Sequence, residues 1–177
     1  MTLLIGAHLS INNGILDSIK NIIKIGGNCI QIFTGPPQSL IQGKVFNSSE
    51  NEIKEIIKFK EENNIQLFIH SKYILNFSKP LLPKNKIYLV RYTQDLDFGN
   101  KIKSKGVILH FGTASNNLSK IEARKNMIKS LISCLDHADK KSIPILETSS
   151  GEGNYIGKTI DDMKNIVDSL PINIKSE

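Results

Sequence analysis

The chain has 177 residues, 40% hydrophobic and 23% charged, and its 23 Lys and Arg outnumber 17 Asp and Glu for a formal charge of +6. That balance excludes a disordered chain. It predicts one domain over residues 1–177, with a sizeable core, yet short of the roughly 200–250 residues of a complete eight-unit (β/α) barrel.

Residues 3–10 form a first apolar run and lead into a helix over 14–25, on which Leu16, Ile19, Ile22 and Ile23 share one face. A second run, 29–34, ends in Gly35-Pro36-Pro37, which is neither helical nor mid-strand. Ser49 and Glu52 have the spacing of a capping box and open a helix that turns Ile53, Ile56 and Ile57 inward. A third run over 65–70 precedes a long loop through Pro80 and Pro83, then a helix over 85–103. The fourth run, 106–111, is followed by a helix that opens at a second capping box, Ser119 and Glu122. Its expected buried stripe is Ile121, Ile128, Leu131, Ile132 and Leu135. A fifth run over 143–148, a glycine-bearing loop and a helix over 159–169 complete five strand–helix units.

No apolar run approaches the ~20 residues of a membrane span, and the opening residues 1–8 lack the basic n-region of a signal peptide. Cys29 and Cys134 lie far apart, outside any C-x-x-C, and read as reduced, buried thiols of a reducing compartment, cytoplasmic or nucleus-like. A sequence pI of 9.2 suits a polyanionic partner. The charges are dispersed, however: Lys54, Lys58 and Lys60 alternate with Glu52, Glu55, Glu61 and Glu62 as on a solvated helix face.

The alternation predicts an α/β fold with a parallel sheet, strands buried on both faces and right-handed crossovers. An open doubly wound sheet and the first five-eighths of a TIM-type barrel both fit, and neither a G-x-G-x-x-G nor a Walker loop is present to decide. In both, ligands meet the C-terminal ends of the strands. His8, His70, His110 and Glu147 stand there, three of the chain's four histidines; His137 falls on a helix as a surface residue. Taken singly, each histidine reads as a hydrogen-bonded strand cap. Together His70, His110 and Glu147 are a donor set that Zn2+ accepts, with positions left for water or substrate. The loop Ser149-Ser150-Gly151-Glu152-Gly153-Asn154 is either an ordinary strand–helix turn or a row of N–H groups for a phosphate or sugar. Tyr73 either stacks on a base or sugar or packs on the barrel rim.

Five segments in order resemble endonuclease IV, the zinc-dependent apurinic/apyrimidinic endonucleases. They are Ile5-Gly6-Ala7-His8-Leu9-Ser10, Ile32-Phe33-Thr34-Gly35-Pro36-Pro37-Gln38-Ser39-Leu40, His70-Ser71-Lys72-Tyr73-Ile74-Leu75-Asn76, Val107-Ile108-Leu109-His110-Phe111-Gly112 and Leu146-Glu147-Thr148-Ser149-Ser150-Gly151-Glu152-Gly153. The resemblance implies a partial TIM-type barrel, about five βα units of the eight. It also implies hydrolysis of the phosphodiester 5′ to abasic sites in DNA, with zinc as cofactor. His70, His110 and Glu147 would hold the first ion, with Glu147 bridging to a second as the catalytic carboxylate. Tyr73, Gln38, Gly151 and Gly153 would meet DNA, with His8 at the edge of the site. The family pattern continues into a D-T-x-H strand and later histidines and acids that complete the second and third ions, and these lie beyond residue 177. In the second segment Gln38 and Leu40 stand where the family carries an arginine and a tryptophan.

The resemblance therefore implies a truncated barrel whose open edges call for a complementary polypeptide or self-association. Two copies would supply ten units rather than eight, so a simple dimer does not close it. Two other readings accompany the endonuclease: a non-catalytic relative that binds DNA or metal, and a sugar isomerase or epimerase of the related xylose isomerase-like barrels.

Overall fold

The apolar runs pair in chain order. β1 (Gly6–His8), β2 (Cys29–Phe33), β3 (Gln66–His70), β4 (Gly106–His110) and β5 (Ile143–Glu147) form one parallel sheet in the order β1-β2-β3-β4-β5. The computed structural model describes residues 3–114, 117–135, 142–149 and 153–170. The strands alternate with α1 (Ile15–Lys24), α2 (Glu50–Glu62), α3 (Lys86–Lys101), α4 (Lys120–Ile132) and α5 (Ile160–Asp168), with short 3-10 turns at Lys44–Asn47 and Pro83–Asn85. A doubly wound sheet must reverse its strand order to place helices on both faces. Here the order never reverses, so successive right-handed crossovers put the helices on one face. The sheet is an arc of a TIM-type barrel.

Side chains alternate across the strands. Ile30, Ile32, Leu67, Ile69, Val107 and Leu109 point toward the helices and are buried in one core with Ile19 and Ile22 of α1, Ile56 of α2, Tyr92 and Leu96 of α3, Leu131 of α4 and Ile166 of α5. The opposite row is only partly covered: Gln31, Phe33, Phe68, Ile108 and Ile145 are half-buried, β1 is exposed along its length and Ile143 is 50% exposed. The expectation of strands buried on both faces is thus corrected for the concave face, which no helix covers among the described residues.

Both capping boxes form. Ser49 Oγ accepts from the Glu52 N–H at 3.3 Å while the Glu52 carboxylate accepts from the Ser49 N–H at 2.6 Å, and Ser119 and Glu122 repeat the arrangement at 3.2 and 3.0 Å. The stripe of α4 differs from expectation. Ala123, Met127, Ser130 and Leu131 are buried, followed by Cys134, whereas Ile121 is 66% exposed. Ile121 precedes Ala123 by two residues, about 200° around the helix, and so faces away. The buried face uses small residues because the helix lies close to the loop after β3: Ser130 Oγ donates to the Phe77 carbonyl and Asn126 Nδ2 to that of Ser78. Cys29 is half-buried rather than buried; Cys134 is buried, and both are free thiols. His137 lies outside the described residues.

Candidate metal centre

Strand register assembles the site. His110 is paired with Glu147 on β5, while His70 is paired with Phe33 on β2 and with Ile108, two residues before His110, on β4. All three polar side chains therefore share the concave face at the C-terminal ends of β3, β4 and β5. Nε2 of His70 lies 3.3 Å and Nε2 of His110 3.5 Å from the same Glu147 Oε2. The three ligand atoms lie within 4.8 Å of one another.

The orientation of the His70 ring follows from its partner. Its Nδ1 is 2.6 Å from the Ser71 carbonyl; a carbonyl only accepts, so Nδ1 carries a proton and Nε2 is the nitrogen turned toward Glu147. That nitrogen lies 3.3 Å from a carboxylate oxygen, a separation bridged by a proton or by a shared cation. Zinc bonds of about 2.0–2.2 Å at tetrahedral angles set neighbouring donor atoms roughly 3.3–3.5 Å apart, leaving a further position open. The donor set fits that ion in chemistry, and its two histidine–carboxylate separations match the ion's bonding distances. Burial lowers the pKa of His110, His70 adds to the shift and Glu147 opposes it; burial and then His70 lower that of His8. Neutral imidazole is the form a metal takes.

His8 stands beside the trio rather than in it: its ring is 6.0 Å from that of His70, and its Nδ1 is 2.9 Å from Gln31 Nε2. Tyr73 sits edge-on to His70 at 5.1 Å and is 52% exposed. Gln38 is exposed on the loop after β2. That loop and the loop after β1 line an open cavity of about 760 Å³, with His8, Phe33, Pro36 and Ile41 among its walls. The loops after β3, β4 and β5 are stitched together. Asn76 Nδ2 donates to the carbonyl and the hydroxyl of Thr113, both at 3.1 Å, and Thr113 bridges to Tyr155. Gly112, at φ 88°, passes so near Asn76 that a Cβ would meet its Oδ1 at 2.2 Å. Gly153 has a left-handed φ of 50°. Gly151 lies outside the described residues, as do Ser150 and Glu152.

Sequence reasoning missed Gln31 and a buried polar group beneath the loop after β2: Thr34, Lys72 and Asp95, with Arg91 beside them. One signal was available. Tyr92, Asp95, Leu96 and Gly99 make a helical face in which Asp95 is the single charge, and all four are buried.

Arc and donor set define a class: parallel (β/α) barrels that gather histidine and carboxylate donors at their strand ends. Within it the chain belongs to the xylose isomerase-like TIM barrel family, whose pattern matches residues 19–175. Probable endonuclease 4 of Malacoplasma penetrans is 26% identical over 174 residues, covering 95% of this chain and 59% of that protein. The crystal structure of endonuclease IV from Thermus thermophilus superposes with a TM-score of 0.78 at 18% identity, over 94% of this chain and 60% of that one. D-psicose 3-epimerase from Clostridium cellulolyticum H10 superposes with a TM-score of 0.73 at 16% identity, over 96% and 61%. The chain thus spans about three-fifths of the relatives it matches. The ordered motifs and the sequence relatives agree on endonuclease IV, while the structural likenesses speak for the fold alone.

Proposed function

We propose that this chain is a DNA-repair endonuclease of the endonuclease IV kind, directed to the phosphodiester 5′ to an abasic site and dependent on zinc. The observation that carries the reading is the His70–His110–Glu147 set, its donors spaced 3.3 and 3.5 Å about one carboxylate oxygen, in a chain whose sequence relatives bear the endonuclease 4 name. Zinc bound there supplies an acidified water and positive charge for phosphate oxygens. His70, held by the Ser71 carbonyl, and His110 turn Nε2 toward Glu147, whose carboxylate makes the set selective for a cation. Tyr73 offers an exposed ring for stacking on a base or sugar near the lesion, Gln38 a polar contact from the loop after β2, and Gly151 and Gly153 backbone N–H groups to phosphate. Residues 1–177 act as one domain. Its open concave face and strand edges take a complementary polypeptide or further copies, and its free thiols suit a reducing compartment. Among the described residues no helix is long and apolar enough to cross a membrane.

The histidine and carboxylate donors on a barrel edge also suit a second reading, metal-dependent epimerisation of a keto sugar. A labelled duplex with a single abasic site separates the two. The endonuclease predicts chelator-sensitive incision on the 5′ side, leaving a 3′-hydroxyl. Turnover of keto sugars without incision selects the epimerase. Salt-sensitive duplex binding without either activity selects a non-catalytic relative.

A further inference from the structure

The loop after β2 leaves the sheet at Thr34 and returns at Gly43, and its two ends touch. A Cβ on Gly35 would lie 2.9 Å from the Cα and N of Gly43, and one on Gly43 would lie 1.6 Å from the Thr34 carbonyl. Beneath this neck three polar side chains are buried: Thr34 at 1% exposure, Lys72 at 3% and Asp95 at 1%. Thr34 Oγ1 donates to Asp95 Oδ1 at 2.5 Å, and Lys72 Nζ donates to the Pro36 carbonyl at 2.9 Å. Arg91, one turn before Asp95 on α3, donates through Nε to the Leu40 carbonyl at 2.6 Å and through a terminal nitrogen to Gln94 Oε1 at 2.8 Å. The loop is thus fixed at its root, its near side and its far side by groups that approach from below.

Charges in such a place are costly. Burial drives the Asp95 carboxyl up and the Lys72 ammonium down, each partly offset by the other, and Asp95 Oδ2 has no hydrogen-bond partner among the described residues. In other folds, apolar side chains of similar volume often stabilise as well as or better than a buried ionic group. A buried ionic group that adds little to stability still fixes one arrangement of the chain around it. The segment it fixes walls the cavity shared with His8 and Phe33, and the Phe33 ring is 4.9 Å from that of His70.

We propose that Asp95, together with Lys72 and Arg91, is a positioning set that latches the loop of residues 34–43 to α3 and so holds a fixed wall of the DNA-binding face beside the metal centre. The assignment to DNA rests on the endonuclease reading, whereas the latch itself does not. Asp95 acts through Thr34, Lys72 and Arg91 through backbone carbonyls, and none of the three touches the trio of metal donors.

The test is amide hydrogen exchange of the full chain, read beside zinc affinity and binding to a duplex with one abasic site. Thr34→Val keeps the side-chain shape and removes the donor. It is expected to speed exchange across residues 38–43 by about 10-fold or more, the opening that follows loss of a hydrogen bond to a charged group. Protection of α1 and α4 and affinity for zinc stay at the parent level, and abasic-duplex affinity falls. Asp95→Asn, which retains an acceptor at Oδ1, restores most of the loop protection that Asp95→Ala loses. Unchanged loop exchange in Thr34→Val overturns the latch, and this isosteric variant decides the matter even where Asp95→Ala fails to fold. A loosened loop with unaltered duplex affinity overturns its role toward DNA. A parent protein that binds no abasic duplex sinks the endonuclease reading instead, and the exchange result still decides the latch.

Discussion

At the scale of single residues, two imidazole nitrogens that converge on one carboxylate oxygen at 3.3 and 3.5 Å make the site more than a row of polar strand caps. Tyr73 has a separate role. Its exposed ring stands edge-on to His70 outside the trio of donors, so Tyr73→Ala is expected to weaken abasic-duplex binding by about 1–3 kcal/mol, the range of one base stack. Zinc affinity is expected to stay at the parent level; a titration in which both fall together counts against the stacking role. Asp95 gives a prediction in pH. Burial raises its carboxyl from 3.8 to about 7 against the pull of Thr34, Lys72 and Arg91. With the folded value above the unfolded one, stability is fully present below about pH 4, declines as the unfolded chain ionises first, and is lost by about pH 7. The total is at most about 4 kcal/mol. Urea midpoints of the parent protein are expected to fall between about pH 4 and 7 while those of Asp95→Asn change less, and parallel curves would contradict the assignment.

At the scale of elements, the helix starts were the most legible part of the sequence. Ser49 with Glu52 and Ser119 with Glu122 close the capping boxes that their spacing announced. Removing one hydroxyl, as in Ser49→Ala or Ser119→Ala, is expected to cost about 1 kcal/mol in chemical denaturation without altering zinc binding. Strand ends were legible too, because His70 closes its apolar run and His110 and Glu147 stand one residue before the ends of theirs. The inward face of α4 was not: side-chain size pointed to Ile121, whereas close packing against the loop after β3 selects Ala123 and Ser130. Gln31 and the group around Asp95 escaped for a related reason. Hydrogen bonds across 61 residues, as between Thr34 and Asp95, leave no local periodicity.

At the scale of the whole molecule, periodicity allowed two architectures, the family resemblance pointed to the barrel, and the strand order bears it out. The same arc leaves a half-covered concave row and apolar residues at both margins, Leu3, Leu4 and Ile5 by β1 and Ile143 on β5. Exposed strand edges and apolar patches of this kind drive association. Ile143→Lys is therefore expected to shift sedimentation toward smaller species at a given concentration with little change in unfolding midpoint; an unchanged distribution means that this margin takes no part in assembly.

The central claim is that the ends of β3, β4 and β5 form a metal site, and zinc titration of the purified chain tests it most directly. The account predicts one ion per chain at this site. Binding should be weakened well beyond the about 10–100-fold that merely orienting groups contribute in His70→Ala, His110→Ala and Glu147→Gln, each retaining the parent circular dichroism. Zinc bound with equal affinity by the parent and all three variants, or by none of them, would contradict it.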